Sequence, residues 1–249
     1  MQPSPGLMRA LGSAAFAFGL AAGCAAPAET EAASTASPVV GGIAAPYEHP
    51  EVGRFPACTG TLVAPDVVLS AAHCFDFEGG ARSVGDFVID RPSGALARRT
   101  VEVRVFGDAT GRDDLALVRL ADAVPGDVAR PTEIASATPA RGEAVTLWGY
   151  GCTSRPEPLV PTGGGVIVSG GATDKRRASI AWGEESMSAC PGDSGGPVLD
   201  ARARVVGVAS AYINFPDDEG GGQDVFADPI GRAAELRAEI ARLEASSTP

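Results

Sequence analysis

From Val39 onward the chain alternates short apolar runs with polar, turn-forming breaks. The runs are Gly60–Val63, Val67–Ser70, Val101–Val105, Leu115–Leu120, Ala144–Trp148, Gly165–Val168, Val198–Leu199, Val205–Ala209 and Val225–Phe226. Runs of this length, bounded by Gly, Pro and Asp, read as strands. Many such strands at short spacing predict an all-β sandwich or barrel. The acidic, proline-containing stretch Ala121–Pro131 reads as a connector between two lobes, of about 39–125 and 126–246. One segment carries the other period. Leu236, Ile240 and Leu243 recur at steps of four and three, the spacing of one helix face. Asp228 is placed to cap this C-terminal helix and Pro229 to take its first position. No heptad or internal repeat is visible.

Ahead of Val39 the texture differs. In Met1–Gly23, Arg9 precedes the small, apolar run Ala10–Ala22, which reads as an export signal too short to span a membrane. Leu20-Ala21-Ala22-Gly23-Cys24 resembles a bacterial lipoprotein signal, in which Cys24 would carry the lipid; an ordinary cleaved signal is the alternative. Ala25–Pro38 lacks apolar periodicity and is expected to be a disordered linker or propeptide. The domain proper is then 39–249. Export leads to an extracellular, periplasmic or lipid-anchored location, where disulfides persist. Setting Cys24 aside leaves Cys58, Cys74, Cys152 and Cys190, an even number that suggests two disulfides in any of three connectivities. The net charge of −11 argues against nucleic-acid binding, which needs a basic surface. Membrane contact is expected only through a lipid on Cys24.

Three segments bear chemistry. Cys190-Pro191-Gly192-Asp193-Ser194-Gly195-Gly196-Pro197 sets a serine among glycines, which let backbone N–H groups approach a substrate. Such groups beside a nucleophile form an oxyanion hole. A serine needs a base, and the chain has two histidines. His49 lies in the turn-like, surface stretch Tyr47-Glu48-His49-Pro50. His73 follows an apolar strand and adjoins Cys74, whose disulfide would pin its backbone. The base in turn needs an orienting carboxylate. Asp113-Asp114 directly precedes Leu115–Leu120; Asp114 adjoins the apolar run and is the one to bury, with Asp113 pointing elsewhere.

Chain order removes rival chemistries. Gly192–Gly196 fits the nucleophile elbow of α/β-hydrolases, but that fold places its histidine after the serine, and none follows His73. The subtilisin order needs an acid ahead of the histidine; Asp66 lies only seven residues ahead, without βαβ alternation. Zinc hydrolysis lacks an H-E-x-x-H motif, so no metal and no cofactor are expected.

The order His73, Asp114, Ser194 on an all-β chain resembles the trypsin/chymotrypsin family of serine proteases. Val39-Val40-Gly41-Gly42, Cys58-Thr59-Gly60-Thr61-Leu62 with Ala71-Ala72-His73-Cys74, Asp114-Leu115-Ala116-Leu117 and Gly192–Pro197 carry the likeness. The resemblance implies two six-stranded antiparallel β-barrels with the active site in the cleft between them. It implies a monomeric endopeptidase acting on proteins or peptides. Ser194 would be the nucleophile, His73 the acid-base, Asp114 its orienter, and Gly192 and Ser194 the oxyanion donors. Ser210 would support the aspartate. A Cys58–Cys74 disulfide is implied, which leaves Cys152 for Cys190. The alternative is a catalytically inactive binding module on the same fold.

The family also implies activation. A new amino terminus at Val39 would pair with Asp193. Pro38 precedes that bond and no Lys or Arg lies between Ala10 and Pro38, so a basic-specific cut there is not expected; the expectation is a different activator or a bond that stays uncut in a weakly active form. Of the specificity pocket, the base would be Ser188, not the aspartate of a trypsin. Tyr212 stands where a glycine is usual and would narrow the pocket, and Asp224 would lie on its wall. An apolar or medium-sized residue before the cut is expected, with a basic one as the alternative.

Overall fold

A computed structural model describes residues 43–44, 47–75, 85–107, 113–140, 143–151, 162–163, 169–170, 180–182, 189, 191–214 and 222–246. Strand β1 (Ile43–Ala44) pairs with the much later β9 (Thr162–Gly163). Six strands then close into an antiparallel barrel: β2 (Val52–Arg54), β3 (Thr59–Ala64), β4 (Val67–Ser70), β5 (Asp86–Ile89), β6 (Leu96–Phe106) and β7 (Leu115–Leu120), neighbours in the order β2-β3-β4-β7-β6-β5. The second unit is a six-stranded antiparallel sheet of β8 (Thr146–Leu147), β10 (Ser169–Gly170), β11 (Ile180–Trp182), β12 (Pro197–Leu199), β13 (Val205–Asn214) and β14 (Gly222–Ala227), ordered β10-β11-β14-β13-β12-β8. The strand at Gly165–Val168 falls outside the described residues.

β4 and β7 explain how the two halves share a core. Side chains alternate along a strand. Val68, Val118 and Leu120 pack inside the barrel with Phe55, Leu62, Phe87 and Ile89. Val67, Leu69, Leu115 and Leu117 face outward into a cluster with Trp148, Tyr150, Leu199, Val205, Leu236 and Leu243. Both faces are therefore largely apolar, and both strands read as nearly continuous hydrophobic runs, broken in β7 by Arg119 and ended in β4 by Ser70. A third cluster, including Val145, Leu147, Val198, Val206 and Phe226, fills the second sheet. The connector runs along the first barrel as far as buried Ala129, and Ile134 then bridges to Val205 of β13.

The C-terminal helix α1 (Ala233–Ala245) buries Ala233, Leu236 and Leu243, with Ile240 packed beside them. Each leucine so buried contributes about 2 kcal/mol. The helix start differs from expectation. Asp228 accepts the Gly231 N–H at 2.8 Å and closes a turn ahead of the helix, so Arg232, not Asp228, stands at the N-cap and Pro229 lies before the first turn. Arg232 instead ties the helix start to Asp113 (2.8 Å) and Glu235 (2.7 Å).

The outer face of α1 is clamped to β6 by charge. Glu239 accepts from Arg104 (3.0 Å) and Arg242 (2.8 Å), and Arg242 also reaches Glu102 (2.6 Å). The Arg242 hydrogen bonds are the main cause that holds both carboxyls below the ordinary glutamate value. A carboxyl with a lowered folded pKa adds stability above its unfolded pKa and loses it as pH falls through the folded one. Glu239→Gln is therefore expected to lower Tm slightly at pH 7, as exposed pairs do, with a gap that narrows at about pH 3, below the ordinary glutamate value. Thermal unfolding across that range checks it; an equal gap at both pH values would contradict it.

Candidate active site

β4 delivers its last residue, Ser70, to a buried Ala71-Ala72 step, and a single 3-10 turn over Ala72–Cys74 follows. That turn sets His73 at the rim, with its side chain 27% exposed. The Cys58–Cys74 disulfide fixes the turn from the C-terminal side. It closes a short loop, worth about 3 kcal/mol in the chain-entropy account.

At the foot of β7, Asp114 is fully buried. Three donors meet its carboxylate. Oδ1 accepts the His73 backbone N–H at 2.8 Å. Oδ2 lies 2.7 Å from His73 Nδ1 and accepts the Ser210 hydroxyl at 2.6 Å. A carboxylate facing Nδ1 calls for a proton on Nδ1, which leaves Nε2 as the acceptor of the ring. Asp113 turns away to Arg232, as expected from alternation.

Ser194 lies in the turn 191–195 between the two β units. Gly192 has φ +106°, a conformation that side chains rarely adopt, so this turn requires glycine there. Backbone bonds hold the loop: Thr59 N–H donates to Ser194 O (2.8 Å), Gly195 N–H to Ala209 O (2.8 Å) and Gly196 N–H to Asp193 O (2.8 Å). The N–H groups of Gly192 and Ser194, by contrast, donate to no protein acceptor among the described residues. Cys74 Sγ lies 4.0 Å from His73 Nε2 and 3.8 Å from Ser194 O, so imidazole and serine flank one disulfide sulfur. No hydrogen bond joins His73 Nε2 to Ser194 Oγ among the described residues; unliganded sites commonly tighten this contact only with substrate.

Asp193 is fully buried against the segment Trp148–Gly151. Its Oδ1 accepts the Gly151 N–H at 2.7 Å, and a Cβ on Gly149 would come within 2.1 Å of the same oxygen. Only glycines allow the carboxylate to sit so close. Asp224 is buried opposite Tyr212 and Trp182, and its Oδ2 accepts the Ala189 N–H at 3.0 Å. Val39, Ser188, Cys152, Cys190, Cys24 and the Tyr212 side chain lie outside the described residues.

Two features escape a reading of the sequence. His49 is no plain surface histidine. It is half-buried, hydrogen-bonded to Glu51 at 2.6 Å and packed on Trp148 with ring centroids 4.2 Å apart. Thr59 is fully buried, and its hydroxyl joins Gly192 O and Tyr150 N. A hydroxyl directly after a disulfide cysteine, at the head of a strand, was its one sequence signal. For metals, Cys58, His73 and Cys74 cluster within 4.8 Å among the described residues, but both sulfurs are spent in the disulfide and offer no thiolate.

The family model "Trypsin" matches residues 30–228. Trypsin beta of Drosophila erecta is 26% identical over 187 residues, 64% of this chain and 72% of that protein. Human serine protease 56 is 31% identical over 189 residues, 64% of this chain but only 31% of that protein. Among solved structures, the atomic resolution structure of HBP aligns with TM-score 0.65 at 18% identity, covering 81% of this chain and 96% of the other. At that identity the likeness speaks to the fold alone.

Proposed function

Since the chain belongs to the trypsin family, we propose that it is a serine endopeptidase that cleaves proteins or peptides through an acyl-enzyme. One observation carries the reading: the hydrogen-bonded line Ser210–Asp114–His73 ends beside a serine loop whose Gly192 and Ser194 N–H groups have no protein acceptor among the described residues. Ser194 Oγ attacks the scissile carbonyl. His73 Nε2 takes the serine proton and returns it to the leaving amine, and Asp114 holds the ring and stabilises its charged form. The Gly192 and Ser194 N–H groups receive the oxyanion. Water then repeats the sequence on the ester and frees Ser194.

Export to an oxidising compartment is supported by the disulfide. Cys24 as a lipid anchor, the Cys152–Cys190 bridge and a monomeric state belong to the same reading. So does activation by a cut before Val39, whose new amine would pair with Asp193. The activator is then a protease that accepts Pro38 before the cut. Mass spectrometry of the active species tests this: an active form that retains residues before Val39 contradicts it.

In the pocket, Ser188 at the base leaves room for an apolar or medium-sized residue before the cut, and Tyr212 limits depth. Asp224 is the residue that would instead attract arginine. Its hydrogen bond to the Ala189 N–H supports a structural use. Asp224→Asn keeps an acceptor for that N–H and removes the charge. Its preference between paired arginine and leucine substrates is expected to stay within about tenfold of the parent, a change of under about 1.4 kcal/mol. Selective loss of arginine cleavage beyond that would assign the pocket to basic side chains. A peptide library with the Val39-started protein tests the activity as a whole, and no cleavage of any member would contradict it.

A further inference from the structure

The two β units contribute different halves of the site, and one side chain stitches them together. His73 and Asp114 come from the first barrel, and Ser194 comes from the second unit. Thr59, on β3 of the first barrel, has its N–H and its hydroxyl engaged across that divide, and its carbonyl within its own barrel. Its N–H donates to Ser194 O at 2.8 Å. Its hydroxyl donates to Gly192 O at 2.8 Å and accepts the Tyr150 N–H at 3.0 Å. Its carbonyl accepts the Ser70 hydroxyl at 2.7 Å.

The hydroxyl acts at a soft point. Gly192 has no Cβ and sits at φ +106°, so sterics hold the peptide that follows it only weakly. That peptide carries Gly192 O and lies between the two amides, of Gly192 and Ser194, that are assigned to the oxyanion. If it rotates, the two N–H groups no longer converge. Tyr150, the other partner of the hydroxyl, is followed by Gly151, whose N–H holds the Asp193 carboxylate. One oxygen thus fixes the loop and the wall behind it.

We infer that Thr59 is a positioning residue whose hydroxyl holds the Gly192 peptide so that the oxyanion donors converge. The inference rests on the peptidase reading above. It predicts a kinetic signature that packing alone would not produce. Thr59→Val keeps the shape and the backbone bond to Ser194 O and deletes only the hydroxyl. Thr59→Ser keeps the hydroxyl and deletes the methyl.

The test is kcat and KM for the parent, Thr59→Val and Thr59→Ser, each normalised to active sites titrated with a fluorophosphonate. Inhibition by a peptide aldehyde, whose hemiacetal oxygen takes the oxyanion position, is measured alongside. Thr59→Val is expected to lower kcat per titrated site about tenfold or more, less than outright deletion of a donor. KM should hold within about threefold, and aldehyde affinity should fall in step with kcat. Thr59→Ser should recover kcat to within about threefold of the parent, since it retains the hydrogen bonds. Normal kcat in Thr59→Val, or Thr59→Ser as slow as Thr59→Val, would overturn the inference while the parent stayed active. An inactive parent would instead remove the peptidase reading, and this inference with it.

Discussion

Ser194→Ala and His73→Ala are each expected to lower kcat by about a million-fold, the scale seen when one member of a nucleophile–base pair is deleted. Neither loss should unfold the protein. The Ser194 side chain carries no hydrogen bond among the described residues, and the loop is held by backbone bonds that alanine keeps. His73 stands at the rim, and its own N–H still reaches Asp114 after truncation. The check is kcat on a cleaved library peptide, with thermal unfolding of each variant beside it. Folded variants that keep more than about a thousandth of parental kcat would contradict the assignment, since binding and oxyanion contacts alone leave far less.

Asp114→Asn is expected to cost about ten-thousand-fold in kcat, as in the Ser-His-Asp template. The carboxylate now offers only acceptors to three donors: the His73 N–H, the His73 ring and the Ser210 hydroxyl. An asparagine must turn its NH2 toward one side. Facing His73 Nδ1, the NH2 moves the ring proton to Nε2, and the ring can no longer accept the proton of Ser194. Facing the other way, it sets a donor against the His73 backbone N–H. The favoured arrangement is the first, because it preserves the geometry and changes only the tautomer. The measurement is kcat against an unchanged KM; a loss confined to KM would show that Asp114 serves binding rather than the base.

How far the fold was legible depended on how local each cause is. β4 and β7 agree with the sequence reading residue for residue, because burial on both faces writes a nearly continuous apolar run. β2 does not: it spans three residues with Gly53 at its centre, and that glycine is required because a Cβ there would lie 2.5 Å from the Phe87 ring and 2.7 Å from the Val88 carbonyl of β5. β6 begins at Leu96, well before Val101, since Arg98 and Arg99 pair across to β5 with little apolar character of their own. The helix was visible from its stripe, but its start was not, because Asp228 closes a local turn instead of capping and Arg232 at the N-cap is held by Asp113 far away in the chain.

The site was legible where chemistry needs a particular side chain. His73, Asp114 and Ser210 are joined by hydrogen bonds, and the proposed roles of base, orienter and donor are ones that few residue types can fill in that chain order. Asp113 was separable from Asp114 by alternation alone. Thr59 was hidden, because what it touches is backbone, and any residue can supply a carbonyl or an N–H. His49 was misread for a related reason: its burial comes from Trp148, about a hundred residues away.

The most direct measurement is covalent labelling. The Val39-started protein is treated with a fluorophosphonate, digested and mapped by mass spectrometry, with Ser194→Ala and His73→Ala in parallel. The account predicts one adduct, on Ser194, absent from Ser194→Ala and slowed by orders of magnitude in His73→Ala. An unlabelled, folded parent, or an adduct on another serine, would contradict it and point to a binding module on a protease fold.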